Sequence, residues 1–161
     1  MIFLMATLRF LVAHGTADTA EEAIRICGKV LRQAGVVSDS FIEKCVKREK
    51  EFPTGLPTDI PTAIPHCKDD SITENCICFL KLDHPVTFRR MDDDTETIQT
   101  DMIFNLAICD PNEHIDVLTN MMAFLGDTDS LQKCRILPDD QVITYLQAHL
   151  VPPDGETAQE A

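Results

Sequence analysis

Two apolar segments, Cys76–Leu80 and Met102–Cys109, limit the possible fold more than any other part of the sequence. Both are apolar at odd and even positions alike, and only Asn105 interrupts the second. Because successive side chains of a strand point to opposite faces of a sheet, such segments are typical of central strands covered on both faces. The sequence therefore predicts a sheet with helices packed on each side.

The remaining segments show helical periodicity or the pattern of weaker strands. Thr19 and Glu22 have the spacing of a capping box and predict a helix start, and Gly35 predicts its end. The other predicted elements are an edge strand at 7–13, a helix from Ser38 or Asp39 to about Glu51, strands at 62–64 and 86–90, a largely buried helix at about 113–125 capped by Asn112, and helices near 128–134 and 139–150. This order predicts an α/β fold with a mixed central β-sheet covered by helices on both faces.

Length and charge restrict the class of protein further. A chain of 161 residues suits a single domain, predicted at 1–150, and the acidic tail 151–161 is predicted to be disordered. The net charge of -13 argues against binding to nucleic acid or to an anionic membrane surface. We find no signal peptide pattern and no apolar run long enough to span a membrane.

The cysteines indicate the compartment. There are seven, an odd number without regular spacing, and most lie in apolar periodic segments, among them Cys27, Cys45 and Cys109. This is the pattern of reduced core cysteines. We therefore expect a cytoplasmic protein.

His66 is the first candidate functional residue. The segment 62–67 (TAIPHC) places it where the predicted strand 62–64 ends. A neutral imidazole held there can act as a nucleophile near pH 7. A histidine in such a loop can also serve only as a local hydrogen-bonding group, and its position alone does not separate these two roles.

His114 is the second candidate, two residues after the predicted cap Asn112. The first turn of a helix has unpaired N–H groups and the positive end of the helix dipole, which favour a bound anion. If strand 62–64 is parallel and adjacent to strand 102–109, His66 and His114 emerge at the same carboxyl edge, where open α/β sheets place their sites. Taken alone, His114 would be an ordinary exposed helix residue.

Arg48 is the third candidate. It lies late in the second predicted helix, in the charged run 47–50 (KREK), which is usually a solvated helix face. An arginine at the start of the segment that leads to His66 can also clamp a phosphoryl oxygen with its planar guanidinium group.

Cysteine-based sites have weaker support. Cys76 and Cys78 share a strand face and could be combined with His66 and Cys67 as metal ligands, but no paired Cys-x-x-Cys occurs. Cys67 beside His66 suggests a thiol nucleophile with a neighbouring base, although adjacent side chains of an extended chain point apart. No glycine-rich phosphate loop or G-x-S-x-G elbow is present. We expect no metal and no cofactor.

The segment 48–67 (REKEFPTGLPTDIPTAIPHC) resembles the active-site region of the IIA components of sugar phosphotransferase systems, fructose–mannitol class (EIIA type 2), whose signature ends in Ala-Ile-Pro-His. Segment 112–118 (NEHIDVL) is similar to the second block of that class, in which another histidine opens a helix. Arg48 stands where the family has an upstream arginine. The run 51–55 (EFPTG), and Cys67 in place of the usual glycine, look like the galactitol-type branch. Members of that branch need not keep the second histidine, which is present here as His114.

This resemblance implies a phosphotransferase component with the class's characteristic IIA fold. The phosphocarrier protein HPr would give a phosphoryl group to His66, and the phosphohistidine would pass it to a cysteine of a separate IIB component, in support of galactitol-like sugar uptake. His114 would stabilise the phosphoryl group, and Arg48 would be a possible phosphate clamp.

Two other functions remain open at this point. One is a regulatory phosphoacceptor of the same fold, as in the nitrogen-related branch, which delivers no phosphate to a sugar. The other is a non-catalytic protein-interaction module in which His66 is structural. Phosphorylation by HPr and onward transfer to a IIB cysteine separate the three.

Overall fold

A computed structural model describes residues 8–151, except for the side chains of Pro111 and His114. The predicted disordered tail, from residue 152 onward, lies outside the described residues. The strands are β1 (Leu8–Gly15), β2 (Gly55–Leu56), β3 (Thr62–Ala63), β4 (Asn75–Arg89) and β5 (Thr97–Ala107). The helices are α1 (Ala20–Gln33), α2 (Asp39–Glu51), α3 (Pro111–Leu125), α4 (Thr128–Ile136) and α5 (Asp139–Leu150).

The strands form one mixed sheet in the order β1-β4-β5-β3-β2. The β1–β4 and β5–β3 pairs are parallel, whereas the β4–β5 and β3–β2 pairs are antiparallel. β1 lies at one edge, as predicted for residues 7–13. β4 and β5 occupy the centre, as the two doubly apolar segments predicted.

Alternation along β4 and β5 divides the core into two layers. Cys76, Cys78 and Leu80 pack with buried residues of α1 and α2 on one face. Phe79 and Phe104 pack with α3, α4 and α5 on the other face, where their rings stack with centroids 4.4 Å apart. The predicted sheet with helices on both faces is confirmed.

Local signals explain where α1 begins and ends. The Thr19 side chain accepts a hydrogen bond from Glu22 N at 3.1 Å, and the Glu22 carboxylate accepts from Asp18 N at 2.9 Å. These two bonds satisfy N–H groups at the helix start that have no helical partner. At the other end Gly35 adopts φ 81°, a left-handed conformation that glycine takes without strain.

The predictions were wrong about residues 86–90 and about Asn112. Residues 86–89 do not form a separate strand but continue β4, which pairs with β5 on both sides of an irregularity between Lys81 and Val86. The cap of α3 is Asp110, whose carboxylate accepts from Asn112 N at 2.8 Å. Aspartate before a proline at the first helical position is the favoured start, so α3 begins at Pro111, two residues earlier than a helix capped by Asn112 would.

The predicted burial of α3 and of Cys109 was also wrong. Met121 and Leu125 are buried, but Ile115 is 65% and Met122 43% exposed. Cys109 is exposed just beyond the carboxyl end of β5. The apolar side chains of α3 therefore contribute to the surface of the protein as well as to its core.

Candidate active site

The segment that carries His66 is attached to the carboxyl-terminal half of β5. His66 forms an isolated parallel bridge with Leu106. The Pro65 carbonyl accepts hydrogen bonds from Leu106 N and from the Asn105 side chain, both at 3.0 Å. β3 is parallel and adjacent to β5, so the strand arrangement on which the two-histidine hypothesis depended is confirmed.

The imidazole of His66 is held in one tautomer. Its Nδ1 lies 2.6 Å from the carbonyl oxygen of Ile64. Because a carbonyl oxygen can only accept, Nδ1 must carry the proton, and the lone pair of the neutral ring is then on Nε2. The side chain is only 5% exposed, which limits the number of orientations that it can adopt.

His66 and Arg48 line the same two depressions of the surface. The larger, of about 840 Å³, is also lined by Thr54, Ile64 and the acidic residues Asp92–Asp94. The smaller, of about 350 Å³, has Cys67 and a group of basic residues: Lys44, Lys47, Arg48 and Lys68, together with Glu51. In a chain of net charge -13, this local excess of positive charge suits an anionic group bound next to His66.

Arg48 is half-buried near the end of α2. Its guanidinium carbon lies 5.5 Å from the ring centroid of Phe52, a cation–π contact that orients the side chain without using its N–H groups. The structure thus places Arg48 on the surface that His66 lines, and its role as a phosphate clamp stays a prediction.

His114 is the fourth residue of α3, and its side chain lies outside the described part of the structure. The backbone position can still be stated. β5 ends at Ala107, and α3 begins at Pro111, so the helix start follows the strand to which the His66 segment is bound. Asn75 orients this connection, because its side chain accepts from Cys109 N at 2.8 Å and donates to Glu113 at 3.0 Å.

Sequence reasoning missed a group of apolar residues around the larger depression. Phe52 is 62%, Met91 40% and Met122 43% exposed, and all three line it. They come from α2's end, the β4–β5 turn and α3, so no sequence pattern places them together. A group of exposed apolar side chains is typical of a protein-docking surface.

Glu49 was also missed. It is 8% exposed, and its carboxylate accepts from both the backbone N and the Oγ1 of Thr54, each at 2.8 Å. Thr54 O in turn accepts from Ile64 N at 3.3 Å. Glu49 therefore supports the loop next to the residue that orients His66, and its place within a charged run hid this role.

Burial raises the pKa of Glu49 from its ordinary 4.5 to about 7, against the opposing effects of the Thr54 hydrogen bonds and of Arg48 and Arg89. The folded chain then binds this proton more tightly than the unfolded chain, so the free energy of unfolding falls as pH rises from about 4.5 to about 7. Glu49→Gln cannot ionise and keeps an acceptor for Thr54 N. We expect the wild type to lose about 2–3 kcal/mol relative to Glu49→Gln between about pH 5 and pH 8.

Urea unfolding at a series of pH values measures this difference. Glu51→Gln, at an exposed carboxylate two residues away, is the matched control and is expected to follow the wild type. If the free energies of unfolding of the wild type and Glu49→Gln change with pH in parallel, the Glu49 proton does not contribute to the pH dependence of stability.

Metal and membrane sites have no support in the described part of the chain. Among the described side chains of residues 8–151, which do not include that of His114, no group of three or more His, Cys, Asp or Glu is arranged to hold a metal ion. Among the described helices, none is long and apolar enough to cross a bilayer.

The comparison with protein families decides the identity. Residues 7–149 match the family described as "Phosphoenolpyruvate-dependent sugar phosphotransferase system, EIIA 2". The chain belongs to this family. The resemblance seen in segments 48–67 and 112–118 is thereby confirmed, and the chain is a phosphotransferase domain of the IIA type.

Individual relatives agree with this assignment. The galactitol-specific EIIA component of Escherichia coli strain K12 is 26% identical over 134 residues, 83% of this chain and 89% of the relative. The crystal structure of IIA mannitol from Escherichia coli has a TM-score of 0.67 and 26% identity, over 86% of this chain and 94% of that one. A complex of enzyme IIAMTL with phosphorylated enzyme IIBMTL from Escherichia coli is similar with a TM-score of 0.59 and 24% identity, over 94% and 92% of the respective chains.

Proposed function

We propose that this chain is the phosphoryl-relay IIA component of a sugar phosphotransferase system and acts in the cytoplasm. In this role His66 accepts a phosphoryl group from HPr and passes it to a cysteine of a IIB component. The observation that carries the proposal is the hydrogen bond of 2.6 Å from His66 Nδ1 to Ile64 O, in a ring that lines a basic depression. It supplies an imidazole of fixed orientation where an anionic group can bind.

The chemistry follows from the tautomer. Nε2 attacks phosphorus, the bond from phosphorus to its carrier on HPr breaks, and a phosphorus–nitrogen bond forms. Because Nδ1–H continues to donate to Ile64 O, the positive charge that develops on the ring is stabilised by a carbonyl dipole. In the second half of the relay a IIB thiolate attacks phosphorus, and the electron pair returns to Nε2.

The protein's other contribution is electrostatic. Phosphoryl transfer spreads negative charge over three equatorial oxygens, and catalysis consists largely of positioning and charge stabilisation. We assign this role to Arg48 and to the N–H groups at the start of α3, with His114 as a further donor. The planar fork of Arg48 suits two phosphoryl oxygens at once.

The exposed residues Phe52, Met91 and Met122 supply a surface on which HPr and IIB can dock in turn. A partner that covers them also excludes water from the phosphohistidine. The solved IIAMTL–IIBMTL complex supports the class of partner for this fold. Galactitol-like uptake is supported by the galactitol-specific relatives and by the run 51–55.

Two transfers in sequence test the proposal. The purified chain is incubated with phosphorylated HPr carrying a radioactive phosphoryl group, and IIB components of the galactitol and mannitol types are then added separately. We expect an acid-labile, base-stable label on the chain that moves to a IIB cysteine, preferentially of the galactitol type.

Other outcomes identify the competing functions. Uptake of label without transfer to either IIB component would favour the regulatory phosphoacceptor. Failure to take up label at all would favour an interaction module and would contradict the relay.

A further inference from the structure

Two buried thiols lie next to His66 and have no part in the proposed relay. Cys67 follows His66 directly, and Cys45 is on α2. Their sulfur atoms are 3.3 Å apart, and the residues are only 6% and 1% exposed. A disulfide bond is about 2.05 Å long, so an approach of roughly 1.2 Å would join them.

Hydrogen bonds connect this thiol pair to the His66 segment. The Asn105 amide donates to Pro65 O at 3.0 Å and lies 3.9 Å from the Cys45 sulfur. The Cys67 thiol donates to Phe41 O, on α2, at 3.5 Å. A shift of either sulfur is therefore transmitted to the residue before His66 or to the helix that carries Arg48.

One of the two thiols can be reached from the surface. Cys67 lines the smaller depression together with Lys44, Lys47 and Lys68, whereas Cys45 does not line it. A second pair of thiols, Cys27 and Cys78, lies within the same core layer, but both residues are 0% exposed. Cys27 and Cys78 therefore serve as an internal control, because thiols that solvent cannot reach should resist oxidation.

We propose that Cys45 and Cys67 are a redox modification site, where a peroxide forms a disulfide that slows phosphoryl transfer at His66. Formation of the disulfide does not depend on the proposed function. The effect of the disulfide on phosphoryl transfer does rest on the proposed function.

The oxidation balances with one peroxide molecule. Cys67 sulfur attacks a peroxide oxygen, the O–O bond breaks, and a sulfenic acid and one water form. Cys45 sulfur then attacks the sulfenic sulfur, the S–O bond breaks, and a second water leaves with the Cys45 proton. The two sulfurs lose two electrons in total, and the peroxide gains them.

The disulfide must change the geometry of the transfer site. It draws α2 and the His66 segment together by about 1 Å at the sulfur atoms. Misplacement by about 1 Å can cost roughly 100-fold in rate when reacting groups must be aligned. Arg48 is three residues from Cys45 on the same helix, and His66 adjoins Cys67, so the disulfide ties together the two segments that carry these groups.

The cross-link is tested in the full, folded chain with hydrogen peroxide, followed by alkylation of remaining thiols, trypsin digestion and mass spectrometry. Cleavage beside the lysines and Arg48 releases Cys45 in residues 45–47 and Cys67 in residues 51–68, and neither peptide contains another cysteine. We expect these two peptides to be joined, the joined species to disappear on addition of dithiothreitol, and Cys27 and Cys78 to stay alkylatable after unfolding. If the two peptides are joined only when the protein is unfolded in urea, or if peroxide oxidises only Cys109, Cys45 and Cys67 are not a redox site.

The switch is tested by the rate of phosphate uptake from phosphorylated HPr before and after oxidation. We expect a fall of at least tenfold that dithiothreitol reverses, and Cys67→Ser to stay within twofold of its own rate when peroxide is added. A cross-linked wild type that transfers within twofold of the reduced protein would overturn the switch. If the reduced protein takes up no phosphate, the proposed function fails, while the peptide analysis still decides on the disulfide.

Discussion

Replacing His66 by alanine is expected to abolish phosphate uptake from phosphorylated HPr, because it removes the nitrogen atom that we propose as the phosphoryl acceptor. No neighbouring group can substitute at the same place, since the ring position depends on the hydrogen bond to Ile64 O. His114→Ala should keep the label on His66 and slow its uptake by about 100- to 1000-fold, as expected for one stabilising donor. Radioactive labelling of each purified variant measures both results.

Two controls make the His66 result interpretable. His84→Ala changes an exposed histidine on β4 and is expected to label as the wild type does. Because His66 is buried, the thermal unfolding of His66→Ala must also show a folded protein. A folded His66→Ala protein that still takes up base-stable label would contradict the assignment.

Replacing Arg48 by alanine is expected to lower the rate of phosphoryl transfer by about 100- to 1000-fold, the usual cost of removing one preorganised donor to a developing charge. Arg48→Lys should recover only part of this rate, because an ammonium group lacks the planar pair of N–H donors. Single-turnover transfer from phosphorylated HPr, at saturating donor, separates this effect from weaker docking.

Lys47→Ala is the matched control for Arg48. It removes one positive charge from the adjacent position of α2, which lines only the smaller of the two depressions. We expect a change of less than about threefold, because an exposed charge is screened by water and salt. Equal losses in Lys47→Ala and Arg48→Ala would mean that general positive charge, and not the position of Arg48, supports transfer.

Much of this fold could be predicted because its strongest signals are local. The doubly apolar segments around Phe79 and Phe104 are typical of central strands, and Thr19 with Glu22 marked a helix start through side-chain bonds within one turn. The candidate site residues were proposed from the same kind of local signal. His66 ends a strand, and Arg48 precedes the loop that leads to it, so both could be singled out before their distance in space was known.

The parts that could not be predicted depend on contacts between distant segments. The exposure of Met122 on α3 arises because α3 borders the depression that the Phe52 and Met91 segments complete. The burial of Glu49 depends on how the loop after α2 folds back to place Thr54 against it. The error at Asn112 was different in kind, since Asp110 and Asn112 are both good caps, and the proline between them decides in favour of Asp110.

The most direct test of the account is to identify the phosphorylated atom. Nuclear magnetic resonance of the chain labelled with ¹⁵N at histidine, after phosphorylation by HPr, reports which ring nitrogen is coupled to phosphorus. Because Nδ1 donates to Ile64 O, we predict coupling to Nε2 of His66. Phosphorus on Nδ1 of His66, or on any other residue, would contradict the account.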